Sequence, residues 1–434
     1  MKRKGYYQID YPMLQESLCC GEYPNGFKAY VIQKKGFSKT FASIGTRYGS
    51  IDQRFSTDPN AAPTLVPDGI AHFLEHKLFE QEDGNVLQKY AALGASPNAY
   101  TSFDKTAYLF SCTDNFGACL DLLLDYVYKP YFTDENVEKE KGIIGQEIDM
   151  YADNPDWNGY FGFLKNMFSV SPVRLEIAGT KESIAQIDKE LLYQCHGTFY
   201  HPSNMILVVV GNVTPEEVFS RVAATIGAVK TKPLKIKRFF DAEPKEPRVR
   251  QSEATFDVAT PRFFAGFKDF PTGEPGHERA LREIGMMILF ELIMGKSTPL
   301  YERLYAEGLI NASFSIEYTL EQHYAFSCFA GESKNPDEAI RMILAEIETI
   351  KQTGLDEVAL ARILKAYQGR NIRSLDSVES IAHRFLDQIF KECILFDYFG
   401  LYERVTLPYL EDLLRTHCNP DYFTVLKLRS KGTN

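Results

Sequence analysis

The sequence predicts an α+β fold built twice, two similar domains from an internal duplication, each a mainly antiparallel sheet covered by helices. Three observations lead there. Short apolar runs with strand character alternate with helical stretches, so strands and helices intermix and helices should cover one face of the sheet. The segment 230–253 is charged, interrupted by prolines and without sustained periodicity, which is linker chemistry. It separates a first domain over 1–229 from a second over 254–434, both of ordinary domain size. The halves also echo each other at an offset near 214: Tyr90-Ala-Ala-Leu-Gly94 in Tyr305-Ala-Glu-Gly308, Asn98, Ala99 and Ser102 in Asn311, Ala312 and Ser315, and Leu109-Phe-Ser-Cys112 in Ala325-Phe-Ser-Cys328.

In chain order, 28–32 and 41–45 read as strands, 69–78 and 86–93 as helices, and 99–111 as one or two strands after the turn signal Ser96-Pro97-Asn98. An acidic helix follows, with Thr133 and Asp134 as N-cap candidates. The continuous apolar run 205–210 predicts a buried strand between helices. Trp157, the only tryptophan, is expected to anchor packing near the end of the acidic helix.

A chain of 434 residues exceeds what one core usually supports, and 44% apolar residues are enough to fill two. The net charge of −10, with no basic run interleaved with aromatics, speaks against nucleic acid. Eight cysteines, at 19, 20, 112, 119, 195, 328, 393 and 418, show no C-x-x-C spacing and read as reduced, mostly buried thiols of a cytoplasmic protein. The basic start Met1-Lys-Arg-Lys lacks the apolar stretch of a signal peptide, and no run approaches a membrane span.

His72, Glu75 and His76 form H-x-x-E-H inside the otherwise apolar 70–79. On a helix, residues four apart share one face, so both imidazoles can address one metal ion with Glu75 beside them. This order is the inverted zincin signature. A packed pair of helical histidines is the plain alternative, but three polar residues on an apolar helix are costly without a use. Zinc needs a third protein ligand. Glu147 is nominated, with Glu140 two turns before it on the same face as an assisting carboxylate. The same acidic segment also reads as an ordinary solvated helix face, with Glu138, Lys139 and Lys141 belonging to it. His196, His201, His277, His323, His383 and His417 lack paired spacing and are expected at the surface or in turns.

His72-Phe-Leu-Glu-His76, followed by Glu140 and Glu147, resembles the pitrilysin and insulin-degrading enzyme family of metallopeptidases, in particular its bacterial processing-protease-like members. Asn98-Ala-Tyr-Thr-Ser-Phe103, Gly179-Thr180, Tyr200-His-Pro-Ser-Asn-Met205 and Val208-Val-Val-Gly-Asn-Val213 carry the likeness further along the first half. The resemblance implies a zinc endopeptidase with one Zn2+ per chain, held by His72, His76 and Glu147, in which Glu75 is the base and Glu140 assists. It also implies an edge strand at Asn98, Ala99 and Tyr100 that takes an extended peptide by strand addition. Without the resemblance, that run reads equally as a core strand.

By the constant offset, the metal positions fall on Met286, Leu289 and Phe290, and matching Val137 with Val358 adds Ala361 and Gln368, none of them charged. The second half is therefore expected to keep the fold without the metal. Many family members carry there an Arg and a Tyr seven apart that grip the substrate, but this chain has Leu304 and Asn311. That departure predicts the catalytic half of a heterodimer with a zinc-less chain bearing the pair, or otherwise a homodimer. The rival functions are a scaffold subunit of the same fold and a zinc hydrolase of non-peptide substrates.

Overall fold

Every residue of the strands Thr40–Thr46 and Met205–Gly211 is buried. Strands buried in this way are covered on both faces, and the two covers come from different parts of the chain. The computed structural model describes residues 2–431 apart from Lys4, Pro59, Pro271, Thr272 and Pro275. Met1 and Lys4 of the basic start thus lie outside the described residues. On one face, Ala29, Val31, Ala42, Ile44, Leu207 and Val209 join a core with the helices Ile70–Lys77, Val86–Ala92, Phe116–Tyr128 and Lys189–Phe199. The alternate residues meet the helix Val378–Phe390. Its Phe385 ring lies 5.1 Å from Tyr30 and its His383 ring 5.2 Å from Phe41, while a Cβ on Gly45 would come within 2.9 Å of Leu386.

The expectation of helices on one face is corrected accordingly, and so are the contiguous domain boundaries. One compact unit comprises 1–149, 175–240 and 374–390, and the other 150–174, 241–373 and 391–434. Each half of the sequence therefore gives a helix to the unit built by the other half. In the second unit the helix Pro155–Met167 covers the strands Arg262–Asp269 and Phe423–Ser430. Its glycines permit close approach: a Cβ on Gly159 would stand 2.0 Å from Phe264, and one on Gly162 2.6 Å from Leu426. Trp157 lies in the first turn of this helix and stacks on Tyr151, in the last turn of the acidic helix Asp134–Ala152, with ring centroids 4.2 Å apart, the packing anchor expected there.

The duplication is visible in the sheets. The first runs Lys2–Arg3, Tyr6–Tyr11, Glu16–Glu22, Lys28–Gln33, Met205–Gly211, Thr40–Thr46, Thr106–Cys112, Ser96–Thr101. The second runs Gln251–Phe256, Phe423–Ser430, Arg262–Asp269, Ala325–Glu332, Ser315–Leu320. The last five strands of the first sheet and the five of the second share one order, with only the first pair parallel. The register corrects the sequence echo. Thr101 and Thr106 flank the first hairpin as Leu320 and Ala325 flank the second, whereas the left-handed glycines Gly94 and Gly308 end the preceding helices in both. The second copy thus has additional residues between glycine and hairpin, and Asn311 lies in that insertion rather than opposite Asn98.

The segment 230–253 is pinned rather than free. Lys237–Arg238 pairs with Arg54–Ser56, Arg238 Nε donates to Asp52 at 2.6 Å, and the second sheet already begins at Gln251. Glu243 accepts the backbone amides of Ser169, Val170 and Ser171 at 2.7, 2.9 and 2.7 Å, and Lys268 Nζ at 2.7 Å. Burial alone would raise its pKa, but the Lys268 charge and these amides hold it below the usual range. Glu243→Ala should cost about 2 kcal/mol, the worth of hydrogen bonds to a charged group, readable as a shift in the urea midpoint.

Two of the histidines expected at the surface are buried. His196 Nε2 lies 2.9 Å from the Val127 carbonyl oxygen, and burial pulls its pKa down to about 4. His417 Nδ1 lies 3.2 Å from Asp269 Oδ2 and its Nε2 2.8 Å from Ser327 Oγ. Asp269 also accepts two bonds from Arg282, both 2.9 Å, and one from the Tyr318 hydroxyl at 2.6 Å. All eight cysteines are buried and unbridged.

Candidate metal centre

The helix Ile70–Lys77 starts where two glycine backbones cross. Gly69 has φ 89° and a Cβ on it would lie 2.4 Å from the Ala178 carbonyl oxygen, while Gly179, φ 74°, would bring a Cβ within 2.6 Å of the Asp68 carbonyl oxygen. Only glycine fits such a crossing. Ser183, in the helix capped by Thr180, donates to the same Asp68 carbonyl at 2.8 Å.

From this fixed start His72 and His76 stand on one face, with ring centroids 4.5 Å apart. Glu147 comes from the helix Asp134–Ala152 and places Oε1 3.7 Å from His72 Nε2 and Oε2 3.5 Å from His76 Nε2. These distances are too long for hydrogen bonds. Two donors each about 2.1 Å from one tetrahedral ion stand about 3.4 Å apart, so the spacing is that of ligands around a shared cation. One donor atom from each residue lies within 4.8 Å of the others, and no other such cluster exists among the described residues. The three residues fit zinc.

The surroundings agree. Burial, with His76 adding to it, lowers the His72 pKa to about 4, leaving a neutral imidazole. Burial alone would lower His76 too, but its bond to Glu140 and the charges of Glu75, Glu140 and Glu147 raise it instead. The spot therefore favours positive charge. His76 Nδ1 donates to Glu140 Oε1 at 3.1 Å, which leaves Nε2 to face Glu147. Glu75 is buried beside the cluster, and burial raises its pKa although the Thr101 hydroxyl, which donates to it at 2.7 Å, opposes that.

Thr101 ends the strand Ser96–Thr101, the last of its sheet, so the strand and Glu75 are tied. Pro97, Asn98 and Ala99 line a cleft of about 670 Å³ together with Glu75, His76, Phe79, Glu80 and Glu140. The Tyr100 ring instead lies 5.8 Å from His383, on the helix that covers the opposite face. Of the three proposed strand residues, two thus line the cleft.

Sequence reasoning missed Thr101 and Lys77. The Lys77 side chain is fully buried, ion-paired with Glu80 and 3.7 Å from Glu140 Oε2. A lysine closing an apolar helix beside three polar residues was the available signal. In the second unit, Met286, Leu289, Phe290 and Leu304 are fully buried core residues. Asn311 donates to Glu332 at 2.8 Å and Arg303 pairs with Glu346 at 3.0 Å.

Residues 66–181, which hold every member of the cluster, match the family Insulinase (Peptidase family M16), and 186–367 match Peptidase M16 inactive domain. The uncharacterized zinc protease YmfH of Bacillus subtilis is 43% identical over 98% of this chain and 99% of its own. The chain belongs to peptidase family M16. Among solved structures, an M16-like peptidase from Alicyclobacillus acidocaldarius matches this M16 chain with TM-score 0.92 and 34% identity, over 98% of this chain and 100% of that one. Pitrilysin shares the fold alone, at TM-score 0.76 and 17% identity, over 98% of this chain but 46% of pitrilysin.

Proposed function

We propose that this M16 chain is a zinc-dependent endopeptidase and the catalytic subunit of a two-chain peptidase. The carrying observation is the His72, His76, Glu147 cluster with buried Glu75 beside it, at the wall of a cleft bounded by a sheet edge. Zinc, when bound, supplies polarisation of the scissile carbonyl and acidification of water. His72, His76 and Glu147 hold it, and Glu140 fixes the orientation of His76. Glu75 takes the proton of the attacking water and delivers it to the leaving amine. The free edge of Asn98, Ala99 and Tyr100 pairs with the backbone of an extended peptide, giving affinity with little sequence selectivity.

Two observations support a partner chain. Leu304 and Asn311 stand where the grip of Arg and Tyr is expected, one in the core and the other tied to Glu332. The chain also spans about half the length of pitrilysin and of the periplasmic protease PqqL from Escherichia coli, 46% and 48%. Purified alone, the protein should bind zinc yet cleave peptides weakly or not at all, and it should gain activity on mixing with a related zinc-less chain that carries the Arg and Tyr. Full activity as a homodimer would refute the two-chain assignment. Eight unbridged cysteines support a cytoplasmic setting, and among the described residues no helix is long and apolar enough to cross a membrane.

A further inference from the structure

Lys77 is the last residue of the metal helix and its side chain is wholly buried. A buried ammonium is costly unless paired, and its two partners have different positions in the site. Glu80 belongs to the strand Glu80–Gln81, which pairs with Gly84–Asn85, and all four residues line the cleft. Glu140 is the carboxylate whose Oε1 holds His76 Nδ1, while Lys77 faces its other oxygen at 3.7 Å. A carboxylate held at only one oxygen turns about its stem, and His76 turns with it. At 3.7 Å Lys77 acts on the second oxygen by charge, as an ion pair, and biases the carboxylate toward the orientation that meets His76.

We propose that Lys77 is a positioning residue, a buried cationic junction that fixes Glu140 against His76 and pins the cleft-lining hairpin through Glu80, so that metal retention and substrate binding depend on one side chain. The inference rests on the zinc peptidase reading above. Methionine has similar length and suits a buried position, so Lys77→Met keeps the volume and removes only the junction.

The test uses the full chain, in its active assembly for kinetics. Zinc affinity is measured by competition with a chromophoric chelator, and ligand geometry by the visible spectrum of the cobalt-loaded protein. Lys77→Met should bind zinc about tenfold or more weakly, the range for a lost partner of a ligand, with an altered cobalt spectrum. Glu140→Gln should lose as much, and the double variant no more than either alone. Glu80→Gln should raise KM and leave zinc affinity in place. Lys77→Gln is the second variant should methionine fail to fold, with the same loss expected. Wild-type zinc affinity and an unchanged spectrum in the Lys77 variant, or additive losses in the double variant, overturn the proposal. A wild-type chain that binds no zinc, or binds it regardless of a His76→Ala change, overturns the metal reading instead.

Discussion

Glu75→Gln should abolish turnover while keeping the metal. The expected loss is about 10²–10⁴-fold in kcat, the contribution of a positioned acid–base group. The substitution suits the test because glutamine occupies the same space and still accepts the Thr101 hydroxyl now 2.7 Å from the carboxylate. Glu75 is 8% exposed, and burial already raises its pKa, so an uncharged amide there is no harder to bury and the melting temperature should hold or rise. Glu75 is not among the three clustered donors, so zinc content measured by atomic emission should equal that of the wild type. Retention of more than a tenth of the activity would place the base elsewhere. A scaffold subunit would be indifferent to the change in every assay.

Asp269→Ala should destabilise the second unit by about 3–5 kcal/mol, the usual cost of removing one partner from a buried ion pair. The carboxylate gathers two bonds from Arg282, one from Tyr318 and the approach of His417, whose side chain is wholly buried. Removing it leaves three cationic or polar groups, Arg282, Tyr318 and His417, without this counterpart, whereas an exposed pair is worth about 0–1 kcal/mol. Burial alone would raise the Asp269 pKa, but His417, Arg282 and the Tyr318 hydroxyl drive it well below the carboxylate range. A carboxyl depressed in the folded state stabilises above its unfolded pKa, about 3.9, and the contribution is lost as pH falls. The difference between variant and wild type should therefore be full at pH 7 and shrink below about pH 4. Trp157 belongs to this unit and is the chain's single tryptophan, so its fluorescence in urea reads the transition. A difference under 1 kcal/mol at pH 7 would contradict the account.

The clustering of His72, His76 and Glu147 was legible because chemistry constrains both type and spacing: two imidazoles one turn apart and a carboxylate two turns after another. The local elements were legible for a similar reason, since periodicity records which face is buried. What escaped was non-local. Nothing in the composition of 150–174 or 374–390 says that these helices cover the sheet built by the other half of the sequence, although the unbroken apolar run of Met205–Gly211 already required cover on both faces. Lys77 and Thr101 escaped because Glu140 and Glu75 come close to them only after folding. His417 was misplaced because a lone histidine carries no sign of the Asp269 that receives it.

The exchanged helices also order events during synthesis. Domains on the ribosome generally fold as they emerge, N-terminal first, at about 5–20 residues per second. Here the unit that carries His72, His76 and Glu147 cannot cover the Tyr30, Phe41 and Gly45 face of its sheet until Val378–Phe390 has been made. A nascent chain therefore holds His72, His76 and Glu147 long before their unit is finished, and a product that stops short of residue 374 leaves one face of that sheet bare. Completion of the first unit is thereby withheld from fragments and granted only to nearly full-length chains.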